Sequence, residues 1–182
     1  KVLIAGGYDN STYLNSAEIY DPATGMTTRT KNMKAARMNH SATLLVNGKV
    51  LLIGGRDGKS TVSSAEIFDP NKGTFTALPD MSVGRLGHLA TLLPNGKVLI
   101  AGGSNDNAYV STAEIFDPET NKTTPLSGMV AQRTGSTATA LANGKMLIVG
   151  GMKDTAYVNS VELFDPQTGT FATLANQNIE RF

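Results

Sequence analysis

The stretch KVLLIGGRDGKSTVSSAEIFDPNKGTFTAL, residues 49–78, is the most informative part of this chain for its fold. It holds three short runs of apolar and β-branched residues, and segments rich in Gly, Asp, Asn and Pro separate these runs. Such runs bounded by turn residues are typical of β-strands. The run ATLL (42–45) precedes them. Together they predict one unit of four short antiparallel strands.

This unit recurs along the chain with a spacing of 48 residues, as between Gly6 and Gly54, and no insertion interrupts the register. Glycine doublets, glutamates, aromatic residues and arginines all keep the spacing. The doublets are Gly6 and Gly7, Gly54 and Gly55, Gly102 and Gly103, and Gly150 and Gly151. The glutamates are Glu18, Glu66, Glu114 and Glu162, the aromatic residues are Tyr20, Phe68, Phe116 and Phe164, and the arginines are Arg37, Arg85, Arg133 and Arg181.

Four antiparallel strands repeated every ~40 to 50 residues are the signature of a β-propeller blade. A single sheet of this size cannot bury both faces, so we expect the blades to stack around an axis with the recurring aromatic residues between them. We therefore predict one propeller region with repeat units at approximately 1–38, 39–86, 87–134 and 135–182.

The motifs GKVLIAGG (96–103) and SAEIFDP (64–70), with a Met and an Arg before the next ATLL-like run, resemble the bacterial form of the kelch repeat. The resemblance covers nearly the whole chain. It implies an all-β kelch-type propeller with four 48-residue blades, of which the first lacks its innermost strand. Because the family usually carries more than four blades, we expect part of a larger propeller rather than a complete four-blade ring.

Two kinds of surface follow from this topology. The Asn-Gly turns, such as Asn47-Gly48, and the Asp-Pro turns, such as Asp69-Pro70, lie at one end of each blade. We call this end the turn face and expect it to be structural. Asn-Gly between strands predicts a two-residue hairpin in which both residues have positive φ.

The opposite end, which we call the loop face, carries the connections that differ most between units. They are the segments between the second and third strands of a blade, 8–15, 56–63, 104–111 and 152–159, and the segments before each first strand, 30–40, 78–88 and 126–136. Varied loops on a fixed frame favour recognition. The candidate binding residues are Tyr8, Asp9, Tyr13, Arg37, His40, Arg56, Asp57, Arg85, His88, Asp106, Tyr109, Arg133, Asp154 and Tyr157.

The glutamates and arginines that recur in every unit favour a structural interpretation, since an active site needs a few unlike residues in one place. Glu18 and Tyr20 point to the same side of a strand, toward a neighbouring blade. An unpaired buried carboxylate is costly, so we predict that these glutamates pair with the recurring arginines or with loop backbone.

Two metal hypotheses are weaker than their structural alternatives. His40 and His88 occupy equivalent positions and could ligate a metal at the channel mouth, but Ser136 replaces them in the next unit. The loops that contain Asp9, Asp57, Asp106 and Asp154 are rich in oxygen atoms but lack the spacing of a calcium-binding EF-hand. We therefore predict no metal site and no cofactor.

The leading functional hypothesis is a non-catalytic scaffold that binds a protein, peptide or glycan. The sequence has no cysteine and none of the GxSxG, HExxH or P-loop motifs, so we predict no catalytic residue and no enzyme activity. One alternative is an accessory part of a larger kelch enzyme, either sugar-oxidase-like or acting on sialic acid. Another is an assembly module that self-associates through open blade edges.

Composition narrows the choice of partners. Net charge is +1 and only 17% of residues are charged, which argues against nucleic acid as a partner. No apolar run is long enough to span a membrane. The bacterial repeats that the chain resembles are often exported, so we lean toward an extracellular or cell-surface location on a bacterium.

Overall fold

A computed structural model describes residues 1–179, so Arg181 lies outside the described residues. Within them the chain forms 17 β-strands and no helix. The strands are β1 (Val2–Ala5), β2 (Ala17–Asp21), β3 (Met26–Arg29), β4 (Ser41–Leu44), β5 (Val50–Ile53), β6 (Ala65–Asp69), β7 (Thr74–Leu78), β8 (Leu89–Leu92), β9 (Val98–Ala101), β10 (Ala113–Asp117), β11 (Lys122–Leu126), β12 (Thr137–Ala140), β13 (Met146–Val149), β14 (Met152–Lys153), β15 (Ala156–Tyr157), β16 (Glu162–Asp165) and β17 (Thr170–Thr173). No helix within residues 1–179 has the length and apolar character needed to cross a membrane.

Sequential antiparallel pairing organises these strands into four principal sheets. The first sheet has three strands, in the order β1-β2-β3. Each of the others has four: β4-β5-β6-β7, β8-β9-β10-β11 and β12-β13-β16-β17. The short strands β14 and β15 form a separate ribbon within the fourth unit. The predicted all-β architecture, with one strand missing from the first blade, is confirmed.

The Asn-Gly turns differ from the prediction. Gly48 has a φ of 78°, whereas Asn47 does not have a positive φ. The Gly48 N–H donates to the Leu45 carbonyl at 3.0 Å, and the Leu45 N–H donates to the Lys49 carbonyl at 2.8 Å. The loop therefore contains three residues, Val46, Asn47 and Gly48, with glycine in the left-handed position that closes such hairpins. The prediction of a two-residue turn was wrong by one residue.

The Asp-Pro turns between third and fourth strands place one residue of each loop in the left-handed region. Gly73 occupies this position with a φ of 65°, and Asn121 replaces it in the next blade with a φ of 56°. Asparagine is among the few other residues that tolerate this conformation, so the turn keeps its shape.

The hydrophobic core lies between blades rather than within one sheet. One cluster joins Ile53 and Ile67 of the second blade to Val98 and Phe116 of the third. Similar clusters contain Phe68 and Phe164, and all three phenylalanines are at most 1% exposed. The three recurring phenylalanines thus fill the gaps between neighbouring sheets, as predicted, whereas Tyr20 of the first blade is only partly buried and lies outside these clusters.

The innermost strands converge on a common axis, since β8 lies between β4 and β12. This radial order brings the loops of successive blades together at one end. In the three-stranded first sheet, β1 forms the inner edge and leaves Val2 and Ile4 exposed. Their counterparts in the third blade, Val98 and Ile100, are fully buried.

Candidate functional site on the loop face

The glycine doublets mark where the segment before each blade crosses the preceding blade. The Gly55 N–H donates to the Arg85 carbonyl at 2.9 Å, and a Cβ added at Gly54 would lie 2.4 Å from the same oxygen. Gly54 also has a φ of 69°. A side chain is therefore excluded at this position both by the neighbouring backbone and by the backbone conformation.

The Arg85 side chain then reaches into the third blade. It donates to the carbonyl oxygens of Gly102 and Thr112 at 3.0 and 2.8 Å, to the Thr112 hydroxyl at 3.1 Å, and to the Glu114 carboxylate at 3.2 Å. Its carbonyl is held by the second blade and its guanidinium by the third. Arg85 thus locks two blades together at the base of the loop face.

Equivalent contacts of a buried arginine connect the first blade to the second and the third blade to the fourth. The ion pairs are Arg37 with Glu66 at 3.1 Å, Arg85 with Glu114 at 3.2 Å, and Arg133 with Glu162 at 2.9 Å. The glutamates also accept loop N–H groups, as Glu66 does from Lys34 and Ala35. The predicted pairing of recurring glutamates and arginines is confirmed for these three blade interfaces.

Glu18 is different, because its partner is Arg29 on the adjacent strand at 3.7 Å. The Arg29 side chain is largely exposed and Glu18 is partly so. This pair is therefore a surface contact within one sheet and does not lock two blades.

The predicted binding role of three residues is wrong. Arg37, Arg85 and Arg133 are 0% exposed, so their side chains cannot contact a partner on the loop face. Burial lowers the pKa of each guanidinium, and the paired glutamate opposes that shift. The side chains hold the frame that carries the loops.

The two histidines are also mainly inside the molecule. His88 is 8% exposed, and its Nε2 lies 2.8 Å from the Ser41 hydroxyl of the preceding blade. Burial, aided by the nearby Arg85 charge, lowers the pKa of His88 to about 3. Burial and the Arg37 charge lower the pKa of His40, which is partly exposed, to about 4. No group of three or more metal-binding side chains forms within residues 1–179.

These pKa values predict acid sensitivity. Unfolded histidine titrates near pH 6.5, whereas folded His88 stays neutral to about pH 3, so the unfolded state takes up protons first. Between pH 6.5 and 4.5 the His88 contribution to the free energy of unfolding should fall by about 2 kcal/mol. Urea unfolding at the two pH values measures this loss. His88→Ser introduces the residue found at the equivalent position 136. Between the two pH values, its free energy of unfolding should fall by less than that of the parent. Equal falls for the two proteins would contradict the prediction.

Three candidate residues from three different blades meet on the loop face. Arg56 of the second blade pairs with Asp106 of the third, and this contact together with the Tyr13 hydroxyl of the first blade raises the pKa of Arg56. Asp106 also accepts hydrogen bonds from the Thr61 N–H at 2.8 Å and the Thr61 hydroxyl at 3.1 Å. We call Tyr13, Arg56, Thr61 and Asp106 the cross-blade cluster.

Aromatic surface adjoins this cluster. The Tyr8 and Tyr13 ring centroids are 5.0 Å apart, and the Tyr8 side chain is 46% exposed. The Tyr13 ring packs on Gly58, where an added Cβ would lie 2.7 Å from the ring. Tyr13 is therefore held between blades while Tyr8 faces solvent.

The remaining aspartates shape their own loops. Asp9 accepts N–H groups from Ser11 and Thr12 at 3.0 and 2.7 Å, and these bonds, chiefly that from Thr12, lower its pKa to about 2. Asp57 likewise accepts the N–H groups of Lys59 and Ser60. Asp154 has a φ of 55°. The Asp9 and Asp57 carboxylates thus fix backbone turns.

The last two tyrosines lie in the loops of the third and fourth blades. Tyr109 is half-buried and pairs through its backbone with Ser104. Tyr157 is 51% exposed and pairs with Met152 in the β14-β15 ribbon. Neither is among the four residues of the cross-blade cluster.

A series of backbone hydrogen bonds between successive blades was not predicted from the sequence. The Gly87 N–H donates to the Asn39 carbonyl at 3.1 Å, and the Gly135 N–H donates to the Gly87 carbonyl at 2.9 Å. All three residues have positive φ. Their recurrence at 48-residue spacing, as residues that tolerate the left-handed region, was a signal that could have identified them.

Sheets of uniform meander topology, packed around one axis and locked through buried arginines, define a β-propeller. Residues 1–180 match the family model described as the KLHDC2/KLHL20/DRC7 Kelch-repeats domain. The chain belongs to the kelch-repeat family. A search of curated proteins gave no match. Kelch-repeat domains are generally non-catalytic modules and commonly act as protein-binding scaffolds.

Proposed function

We propose that this chain is a recognition module that binds a partner protein through its loop face, with the cross-blade cluster at the centre of the contact. The observation that carries the proposal is the meeting of three successive blades, where the Tyr13 ring packs on Gly58 and Arg56 pairs with Asp106. Tyrosine and arginine are enriched among the residues that contribute most to protein interfaces.

The cluster supports this role because its charged groups are already ordered. The Asp106 carboxylate is held by Arg56 and Thr61, so the guanidinium keeps its position without a partner. The remaining guanidinium donors can then meet carbonyl or carboxylate oxygens of a partner, with little side-chain entropy left to lose. Exposed Tyr8 offers apolar surface next to these donors.

The contrast between copies supports the same surface. The position of Arg56 holds Tyr8, Ser104 and Met152 in the other units, whereas the buried arginine is the same at each blade interface. The frame repeats while the exposed chemistry changes from blade to blade. Such a surface suits one particular partner better than a repeated ligand.

A displayed-peptide selection followed by affinity measurement tests the proposal. Arg56→Ala should weaken binding of the selected peptide at least tenfold, as expected for a residue central to an interface. The thermal midpoint should change little, because exposed ion pairs contribute little to stability. Lys72→Ala on the turn face is the matched control and should leave the affinity unchanged.

The opposite pattern would contradict the proposal. If Arg56→Ala and Asp106→Ala both retain full affinity while Lys72→Ala loses it, the binding face is wrong. A parallel glycan array distinguishes the alternative partner class. Specific glycan binding that depends on Tyr8 and Arg56, with no peptide selected, would replace protein by carbohydrate as the ligand.

A further inference from the structure

The turn face contains a cleft that the predicted structural role of its turns does not explain. It has a volume of about 550 Å³ and lies between the second and third blades, bordered by their Asn-Gly turns and by the Asp-Pro turn of the third. Clefts of ~300 to 1,000 Å³ accommodate small ligands or a few side chains. This cleft is at the opposite end of the blades from the cross-blade cluster, so its role does not depend on the loop-face proposal.

Part of the cleft lining is apolar. Val46, Pro94 and Pro118 form this part, and Val46 is 77% exposed. The Val46 side chain approaches Gly96 of the next blade, where an added Cβ would lie 3.7 Å from its methyl group. An apolar side chain entering the cleft would remove this exposed valine surface from water.

The lining also includes one carboxylate without a counter-charge. Lys97 and Asp117 pair at 2.9 Å, and the Lys97 hydrogen bond lowers the pKa of Asp117. Glu119, also in the lining, is exposed and makes no ion pair with any other residue among 1–179. Because Lys97 and Asp117 neutralise each other, Glu119 gives the cleft a net negative charge.

A second cleft between the third and fourth blades offers a natural comparison. Its volume is about 310 Å³, and it contains the equivalent ion pair of Lys145 with Asp165 at 3.0 Å. Gln167 occupies the position that corresponds to Glu119. The second cleft has a similar ion pair and turn but lacks the unpaired charge.

We propose that the cleft between the second and third blades binds an extended peptide segment of a partner protein, in which an apolar residue is followed by lysine or arginine. The apolar side chain packs against Val46 and the prolines, and the cation pairs with Glu119. The Glu119 charge favours a basic residue in the peptide. The peptide should prefer this cleft to the one between the third and fourth blades, because this cleft is larger.

Amide chemical shifts of the ¹⁵N-labelled chain, titrated with blocked tetrapeptides, test this assignment. The probes are Ac-Gly-Leu-Lys-Gly-NH₂ and the matched peptide with glutamine in place of lysine. The lysine peptide should shift the Gly96 amide more than the Gly144 amide of the second cleft. It should also bind about two to five times more tightly than the glutamine peptide, as expected for one exposed ion pair.

Two reciprocal substitutions at equivalent positions of the two clefts test whether the Glu119 charge causes the preference for lysine. Glu119→Gln should remove the preference for lysine without weakening the glutamine peptide. Gln167→Glu should add a lysine-dependent shift at Gly144. Both positions are at the surface, and an unchanged thermal midpoint confirms that each variant folds.

Three results would overturn the inference. They are the absence of any shift at Gly96, equal shifts at Gly96 and Gly144, or a lysine preference that survives Glu119→Gln. None of these would bear on the loop-face proposal, because that proposal is measured with Arg56 variants at the opposite end of the blades.

Discussion

Replacing Arg85 by alanine is expected to lower the free energy of unfolding by about 3 to 5 kcal/mol, the usual cost of breaking a buried ion pair from one side. The Arg85 side chain is 0% exposed and makes four hydrogen bonds across a blade interface. Its removal leaves the Glu114 carboxylate, 1% exposed, without its cation. The Gly102 and Thr112 carbonyls lose a donor at the same time.

Urea unfolding of the parent and of Arg85→Ala measures this loss. Arg56→Ala is the control, because Arg56 also pairs with a carboxylate, that of Asp106, but is partly exposed. The double variant Arg85→Leu/Glu114→Leu should recover part of the stability, because it no longer buries a lone charge. A loss below about 1 kcal/mol for Arg85→Ala, the size expected of a surface pair, would contradict the interlocking role.

Replacing Gly54 by alanine is expected to lower the free energy of unfolding by about 2 to 5 kcal/mol. A non-glycine residue in the left-handed conformation costs about 1 to 2 kcal/mol. The added methyl group would also lie 2.4 Å from the Arg85 carbonyl and 2.7 Å from the His88 ring, and overpacking of this kind costs about 1 to 3 kcal/mol more. The Arg85 carbonyl belongs to backbone that is held by Gly55, so it cannot move away freely.

Gly73→Ala separates the two contributions. Gly73 has a φ of 65°, close to that of Gly54, but no atom lies within 4 Å of an added Cβ. Thermal and urea unfolding should therefore show only the conformational cost for Gly73→Ala. Equal losses for the two variants would mean that blades do not approach closely at the glycine doublets.

Much of the fold could be predicted because the same short strand and turn motifs repeat four times along the sequence. The 48-residue spacing identified the blades, and burial of the recurring phenylalanines follows from their position on sheets that must stack. The pairing of Glu66 with Arg37 was also predictable, since a carboxylate that faces a neighbouring blade needs a cation. The Asn-Gly turn was missed by one residue because loop length depends on the strand register, which the dipeptide alone does not specify.

The site was harder to predict because it depends on contacts between blades. Arg37, Arg85 and Arg133 were assigned both to the frame and to the binding face, and only burial separates these roles. Arg56 and Asp106 are 50 residues apart, and no spacing rule indicates that they pair. The turn-face cleft was missed for the same reason, since its walls come from two blades and one unpaired charge on a single copy distinguishes it.

Hydrogen exchange of the chain, free and bound to the partner selected on it, tests the loop-face proposal most directly. We expect slower exchange in residues 56–63 and 104–111, which carry Arg56 and Asp106, and unchanged exchange in the Asp-Pro turns at 70–73 and 166–169. Protection confined to those turns, with the two loop segments unchanged, would contradict it.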